Sequence, residues 1–155
     1  SGQLILLFDV LNTGNSSFPY GFGWHPYFMS EQLEVDLLAF PSNKFYECDK
    51  RSIPVNTVNS PLSTSFIMED KKFDDAYSVH HGECRFDSSR YQLNLNFDAI
   101  SGSYLQVYTP PHRKSIAIEP MTCIANSFNT KIGLKELPPG KLSSWSIQMS
   151  VDLKS

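Results

Sequence analysis

The sequence predicts an all-β chain, and three observations carry that prediction. Short segments in which apolar and polar residues alternate recur at roughly the 8–12-residue spacing of β-sandwiches. Long windows with apolar residues at i, i+3, i+4 and i+7, which an amphipathic helix needs, are missing. Ten prolines and eight glycines are scattered along the 155 residues and aromatic residues make up 13%, a profile of strands and turns.

The first element is the apolar run at residues 3–11, with Asn12-Thr13-Gly14-Asn15-Ser16-Ser17 as its turn. A strand that begins almost at residue 1 predicts a piece excised from a larger sheet, and Ser1-Gly2 reads as an artificial leader. Gly21-Phe22-Gly23-Trp24-His25-Pro26-Tyr27-Phe28 then sets one histidine among aromatics. The glycines open backbone conformations closed to other residues, and Pro26 biases His25 towards an extended conformation, so a stiff turn is expected. Leu33-Glu34-Val35-Asp36-Leu37 alternates as a half-buried strand, ended by Pro41-Ser42-Asn43. Residues 43–65 are polar and turn-rich and predict mostly loop with one or two short strands. The segment Lys71 to Val79 brings Asp74 and Asp75 beside aromatics.

Further on, Leu93, Leu95 and Phe97 alternate with Asn94, Asn96 and Asp98, a strand with one wet face, followed by a turn at Ser101-Gly102-Ser103. In Tyr104 to Thr109 the period of two places Gln106 and Tyr108 on one face and Leu105 and Val107 on the other. Pro110-Pro111 stops that strand. In Ser115 to Glu119, Ile116 and Ile118 share one face, and if they enter a core Glu119 points away from it. Leu137-Pro138-Pro139-Gly140 is a turn, and Trp145, Ile147, Met149 and Val151 mark the cleanest strand. No repeat, low-complexity tract or linker divides the chain, so residues 1–155 read as a single domain.

A net charge of −3 and a pI near 5.7 provide no basic field for nucleic acid or an anionic membrane, which points to a small or neutral partner. The longest apolar run, Leu4 to Phe8, is far short of the ~20 residues that cross a bilayer. Cys48, Cys84 and Cys123 are odd in number and show no Cys-x-x-Cys or zinc-finger spacing. Three reduced thiols favour a reducing compartment, and a cytoplasmic location is expected.

The polar groups in constrained places are His25, Asp74, Asp75, Gln106 and Glu119. A histidine and a carboxylate brought together across a sheet can serve as acid and base, because histidine titrates near neutral pH and a partly buried glutamate can be tuned towards it. Spacing alone leaves packing and turn roles open for each of them. No Gly-x-Ser-x-Gly, phosphate-cradling loop, dinucleotide fingerprint or His-Glu-x-x-His is present. His80, His81 and His112 read as surface residues, and nothing requires a metal or a cofactor.

Asn12, Gly23-Trp24-His25-Pro26-Tyr27-Phe28, Phe73-Asp74-Asp75-Ala76-Tyr77, Gln106-Val107-Tyr108-Thr109, Ile118-Glu119-Pro120-Met121-Thr122 and Leu137-Pro138-Pro139-Gly140 arrive in one order. That series resembles the successive motifs of the aldose 1-epimerase (galactose mutarotase) family over about residues 4–151. The resemblance implies a β-sandwich of the galactose mutarotase-like supersandwich type whose groove takes a free monosaccharide of the galactose or glucose kind. It matches Glu119 to the general base at the anomeric hydroxyl and His25 to the general acid at the ring oxygen, with no cofactor. Asp74 matches the aspartate that binds sugar hydroxyls, with Asp75 as the fallback. Gln106 matches a second sugar contact, and Trp24 is expected to offer the sugar an apolar face.

The family pattern runs to about twice this length, with a further histidine and an arginine in its N-terminal half. The resemblance therefore implies an incomplete half, the C-terminal portion, which pairs with a second copy or with the missing half. Two other readings stay open: a non-catalytic carbohydrate-binding fragment or module, and a hexose-phosphate 1-epimerase, for which Arg113 and Lys114 are the only basic candidates near a motif.

Overall fold

Strands of alternating side chains bury one face each. The computed structural model of the chain, which describes residues 2–59, 65–79, 81–98 and 103–154, stacks those faces between two six-stranded sheets. In chain order the elements are β1 (Gly2–Leu11), β2 (Phe18–Tyr20), β3 (Tyr27–Met29), β4 (Leu37–Ala39), β5 (Ser42–Cys48), β6 (Pro54–Asn59) and β7 (Phe66–Ile67). There follow β8 (Asp74–Val79), β9 (Glu83–Asp87), β10 (Tyr91–Phe97), β11 (Ser103–Tyr108), β12 (Ser115–Met121), the single-turn helix α1 (Ser127–Thr130), β13 (Lys135–Leu137) and β14 (Leu142–Leu153). The first sheet runs β1-β14-β10-β9-β4-β7, the second β3-β12-β11-β8-β5-β6, and β13 pairs with β2 apart from both. The described strand pairs are antiparallel. The all-β class is therefore what forms. No described helix is long and apolar enough to cross a membrane.

The core lies between the sheets. The first sheet contributes Phe86, Leu93, Leu95, Trp145 and Ile147, and the second contributes Tyr77, Leu105, Val107, Ile116 and Ile118. Each of these alternates with a residue on the other side of its strand, as the period of two requires. A smaller cluster of Tyr46, Ala76, Tyr104 and Ile124 packs on the outer side of the second sheet. That side therefore has an apolar floor at one end and polar groups at the other.

Three local expectations are corrected. Leu33–Val35 is a turn of 3₁₀ helix, and only Leu37–Ala39 is strand. Strict alternation would have buried Val35 and exposed Asp36, yet Val35 is 62% exposed and Asp36 1%. One oxygen of the buried Asp36 carboxylate accepts a hydrogen bond from the Ser30 hydroxyl (2.5 Å), which offsets part of the cost of burying it.

Residues 42–59 are mostly strand, an antiparallel β5–β6 hairpin with a register shift at Glu47/Cys48. Their polar side chains suit strands at the edge of a sheet, where one face stays wet. Gly21 and Gly23 do not take left-handed backbone conformations. Gly21 is instead small for a contact: a Cβ there would stand 2.3 Å from Cys123 Sγ. Of the expected Ser101-Gly102-Ser103 turn, Ser101 and Gly102 lie outside the described residues, as does His80. His81 and His112 are exposed, and Cys48, Cys84 and Cys123 are free thiols.

Candidate active site

Three adjacent strands of the second sheet place polar residues on its outer face. In β11, Gln106 and Tyr108 point outward because Leu105 and Val107 are fully buried on the inner side. Gln106 stands directly across from Glu119 of β12 and from Ala76 of β8, and Tyr108 stands across from Asp74. Residues opposite or diagonal on one face are within side-chain reach. Asp74 accordingly accepts a hydrogen bond from Gln106 Nε2 at its Oδ1 (3.0 Å). The start of β8 is fixed by Thr109, whose hydroxyl accepts from the Phe73 amide (2.8 Å) while its own amide donates to the Phe73 carbonyl (3.0 Å).

His25 arrives on a strap laid along β12. The Phe22 amide donates to Thr122 Oγ1 (2.8 Å) and the Thr122 amide to the Phe22 carbonyl (2.9 Å). Gly23 bridges Met121, the Trp24 amide donates to the Pro120 carbonyl (3.1 Å), and Tyr27 pairs with Ala117. Counted from either bridge, the antiparallel register sets His25 across from Glu119. Its Nε2 lies 3.1 Å from Glu119 Oε1, with the histidine side chain 55% exposed and the glutamate 11%. Burial pushes the Glu119 carboxyl up to about 7; the His25 charge works against this, and the Asp74 charge adds to it. Near neutral pH this carboxyl can therefore both take and return a proton.

His25, Glu119, Asp74 and Gln106 line one cleft of about 540 Å³, together with Tyr27, Tyr108, Met121 and Cys123. Volumes of this order suit small organic ligands. Two other candidates do not line it. Trp24 packs against the inter-sheet core, and Asp75, on the side of β8 opposite Asp74, has its carboxyl pushed up by burial. Phe73 and Tyr77 are core residues as well.

Ser52, in the β5–β6 turn, and Cys123 line the cleft without having been singled out from sequence. For Cys123 a signal existed, since it continues the odd-numbered outward series Ala117, Glu119, Met121. For Ser52, inside an irregular turn, there was none. Asn12 proves structural: buried, it ties its own turn to the next one by donating from Nδ2 to the Ser16 and Leu137 carbonyls (both 2.8 Å). Among the described residues no cluster of three or more His, Cys, Asp or Glu is arranged to hold a metal.

The "Aldose 1-epimerase" family model matches residues 1–150. Over 140 residues the chain is 30% identical to the uncharacterised protein YihR of Escherichia coli K12, covering 84% of this chain and 46% of YihR. Among solved structures, a galactose mutarotase-like protein from Clostridium acetobutylicum superimposes with a TM-score of 0.82 at 18% identity, over 97% of this chain and 52% of that one. The GalM/aldose epimerase homologue from C. elegans gives a TM-score of 0.80 at 15% identity, over 99% and 57%. The chain thus spans about half the length of the relatives it matches. Low identities with high structural overlap establish the galactose mutarotase-like β fold, and the match over residues 1–150 establishes that the chain belongs to the aldose 1-epimerase family.

Proposed function

We propose that this chain carries the acid–base centre of an aldose 1-epimerase, interconverting the α and β anomers of a free aldose. The observation that supports this most is the 3.1 Å approach of His25 Nε2 to Glu119 Oε1 at the cleft, with the Glu119 carboxyl raised to about 7. The anomeric hydroxyl and the ring oxygen share one carbon, so a base for the first and an acid for the second have to converge on a small volume. Two side chains in contact at the cleft surface meet that demand.

In the proposed reaction the Glu119 carboxylate takes the proton of the C1 hydroxyl. A C1–O1 double bond forms as the bond from C1 to the ring oxygen breaks, and the ring oxygen receives a proton from His25. Rotation about C1–C2 exposes the other face of the aldehyde. Reclosure runs the steps backwards: His25 takes the proton back from the attacking hydroxyl, and Glu119 returns its proton to O1. Atoms and charge balance without any further reagent. Asp74 and Gln106 hold sugar hydroxyls, and Tyr27, whose ring centroid lies 5.0 Å from that of His25, offers an apolar face to the sugar's C–H surface.

Polarimetry or proton NMR of freshly dissolved α-glucose or α-galactose tests the proposal. Catalysed mutarotation is expected, and Glu119→Gln is expected to lower it by about 10²–10⁴-fold. A rate equal to buffer would count against catalysis by this chain. One observation supports a second reading, a carbohydrate-binding fragment: the chain has about half the length of its relatives. Sugar-induced NMR shifts at the cleft without turnover would favour it. The hexose-phosphate reading gains no support, because no lysine or arginine among the described residues lines the cleft. The Arg113 guanidinium is held elsewhere, on the carbonyls of Lys71 and Glu69.

A further inference from the structure

Asp74 is engaged on both oxygens by the protein itself. Oδ1 takes the Gln106 amide (3.0 Å) and Oδ2 takes the Ser52 hydroxyl (3.1 Å). A carboxylate accepts hydrogen bonds and has none to donate, so the direction of both is fixed by chemistry. Gln106 has to present Nε2 to Asp74, and Ser52 spends its only hydroxyl hydrogen there. What the Ser52–Asp74 edge offers a ligand is then lone pairs alone: those left on the carboxylate and those left on the serine oxygen.

The β5–β6 turn holds Ser52 in that position. Asp49 Oδ1 accepts from the amides of Arg51 (2.8 Å) and Ile53 (3.1 Å), the Ser52 amide donates to the Asp49 carbonyl (2.9 Å), and the Arg51 guanidinium closes on Asp49 Oδ2 (3.0 Å). Ser52 itself sits at φ 57, in the left-handed region where glycine is the low-cost occupant. Glu69, His81, Arg113, Asn126 and Lys131 also take positive φ, so it is the side chain rather than the backbone that marks this position. The hydroxyl on Asp74 is what serine adds over glycine.

We propose that Ser52 is a specificity-determining residue which, with Asp74, forms an acceptor-only edge of the cleft. It admits aldoses whose hydroxyl at that edge is free to donate, and refuses those in which it is fluorinated, alkylated or phosphorylated. Fluorine or an ether oxygen brings a second acceptor against the first, and a phosphate adds a charge of the same sign as Asp74. The proposal rests on the aldose reading of the cleft. It adds that Ser52 acts through Asp74 as well as on the sugar, by locking the plane of the carboxylate.

The test is a titration of the 155-residue chain, by calorimetry or ligand-observed NMR, with glucose, galactose and their monodeoxyfluoro analogues. At one ring position fluorine is expected to weaken binding about 10-fold or more, the scale of a lost hydrogen bond to a charged acceptor. Ser52→Gly suits the left-handed backbone and keeps the turn. It is expected to weaken binding of the parent sugar by about 3–10-fold and that of the affected analogue much less, so the ratio narrows. Fluorine tolerated within about twofold at every position, or a ratio unchanged in Ser52→Gly, overturns the proposal while sugar binding itself stands. If neither glucose nor galactose binds at all, the aldose reading falls and the proposal with it.

Discussion

Ionised Glu119 costs the fold stability, because burial raises its folded pKa to about 7 from an ordinary 4.5. The folded state therefore holds a proton that the unfolded chain releases. The penalty is absent below about 4.5, grows as pH rises from there to about 7, and is complete above. Glu119→Gln removes it. The variant is expected to match the parent in urea unfolding in the acid range and to exceed it by roughly 1–3 kcal/mol near pH 8. A variant less stable than the parent at the alkaline end would show that contact with His25 outweighs desolvation. The same substitution would then separate two properties, gaining stability where it loses the proposed base.

Among the elements, the strap at residues 21–25 and the turn before β13 meet at Thr122. Gly133 in that turn has φ 74, and a Cβ there would stand 2.6 Å from the Thr122 carbonyl oxygen and 2.6 Å from the Tyr104 ring. Neither neighbour is the loose end of a flexible side chain. Gly133→Ala is expected to cost about 2–4 kcal/mol in denaturant unfolding and to shift the amide resonances of Phe22 and Thr122. A loss under about 0.5 kcal/mol, typical of an open surface site, would show that the turn moves aside freely. The faces of β11, β12 and β14 were legible in the sequence because burial of one side imposes a period of two. Leu105 and Val107 against Gln106 and Tyr108 needed nothing else. The segment at residues 33–37 misled for a long-range reason, since the buried Asp36 accepts from a hydroxyl of Ser30 that alternation does not encode. The meeting of His25 with Glu119 depends on register between distant segments. Only the ordered motifs pointed to it, and Ser52 had no motif to point to it.

At the scale of the molecule, β1 stands at one edge of the first sheet as described. β1 is zipped to β14 along its ten residues and pairs with nothing else described. Leu4, Ile5, Leu7 and Leu11 are exposed along it. It contains no lysine or proline, the residues that usually blunt an edge. Concentration-dependent self-association through this strand is expected in sedimentation velocity. Leu7→Lys, at a position 75% exposed, should shift the chain towards monomer with little change in stability. An oligomeric state that ignores the substitution would place any association elsewhere. The cleft touches this edge through Phe22 of the strap, whose ring centroid lies 5.7 Å from that of Phe8 in β1. His25 hangs from the same strand that bears Glu119, tethered by Pro120, Met121 and Thr122, so one strand pairing acts as the ruler between donor and acceptor of the proton. The length of that ruler is set by backbone hydrogen bonds within the second sheet, while Phe22 rests on Phe8 and Trp145 of the first. The amides of Trp24 and Thr122 should accordingly show a common protection factor in deuterium exchange.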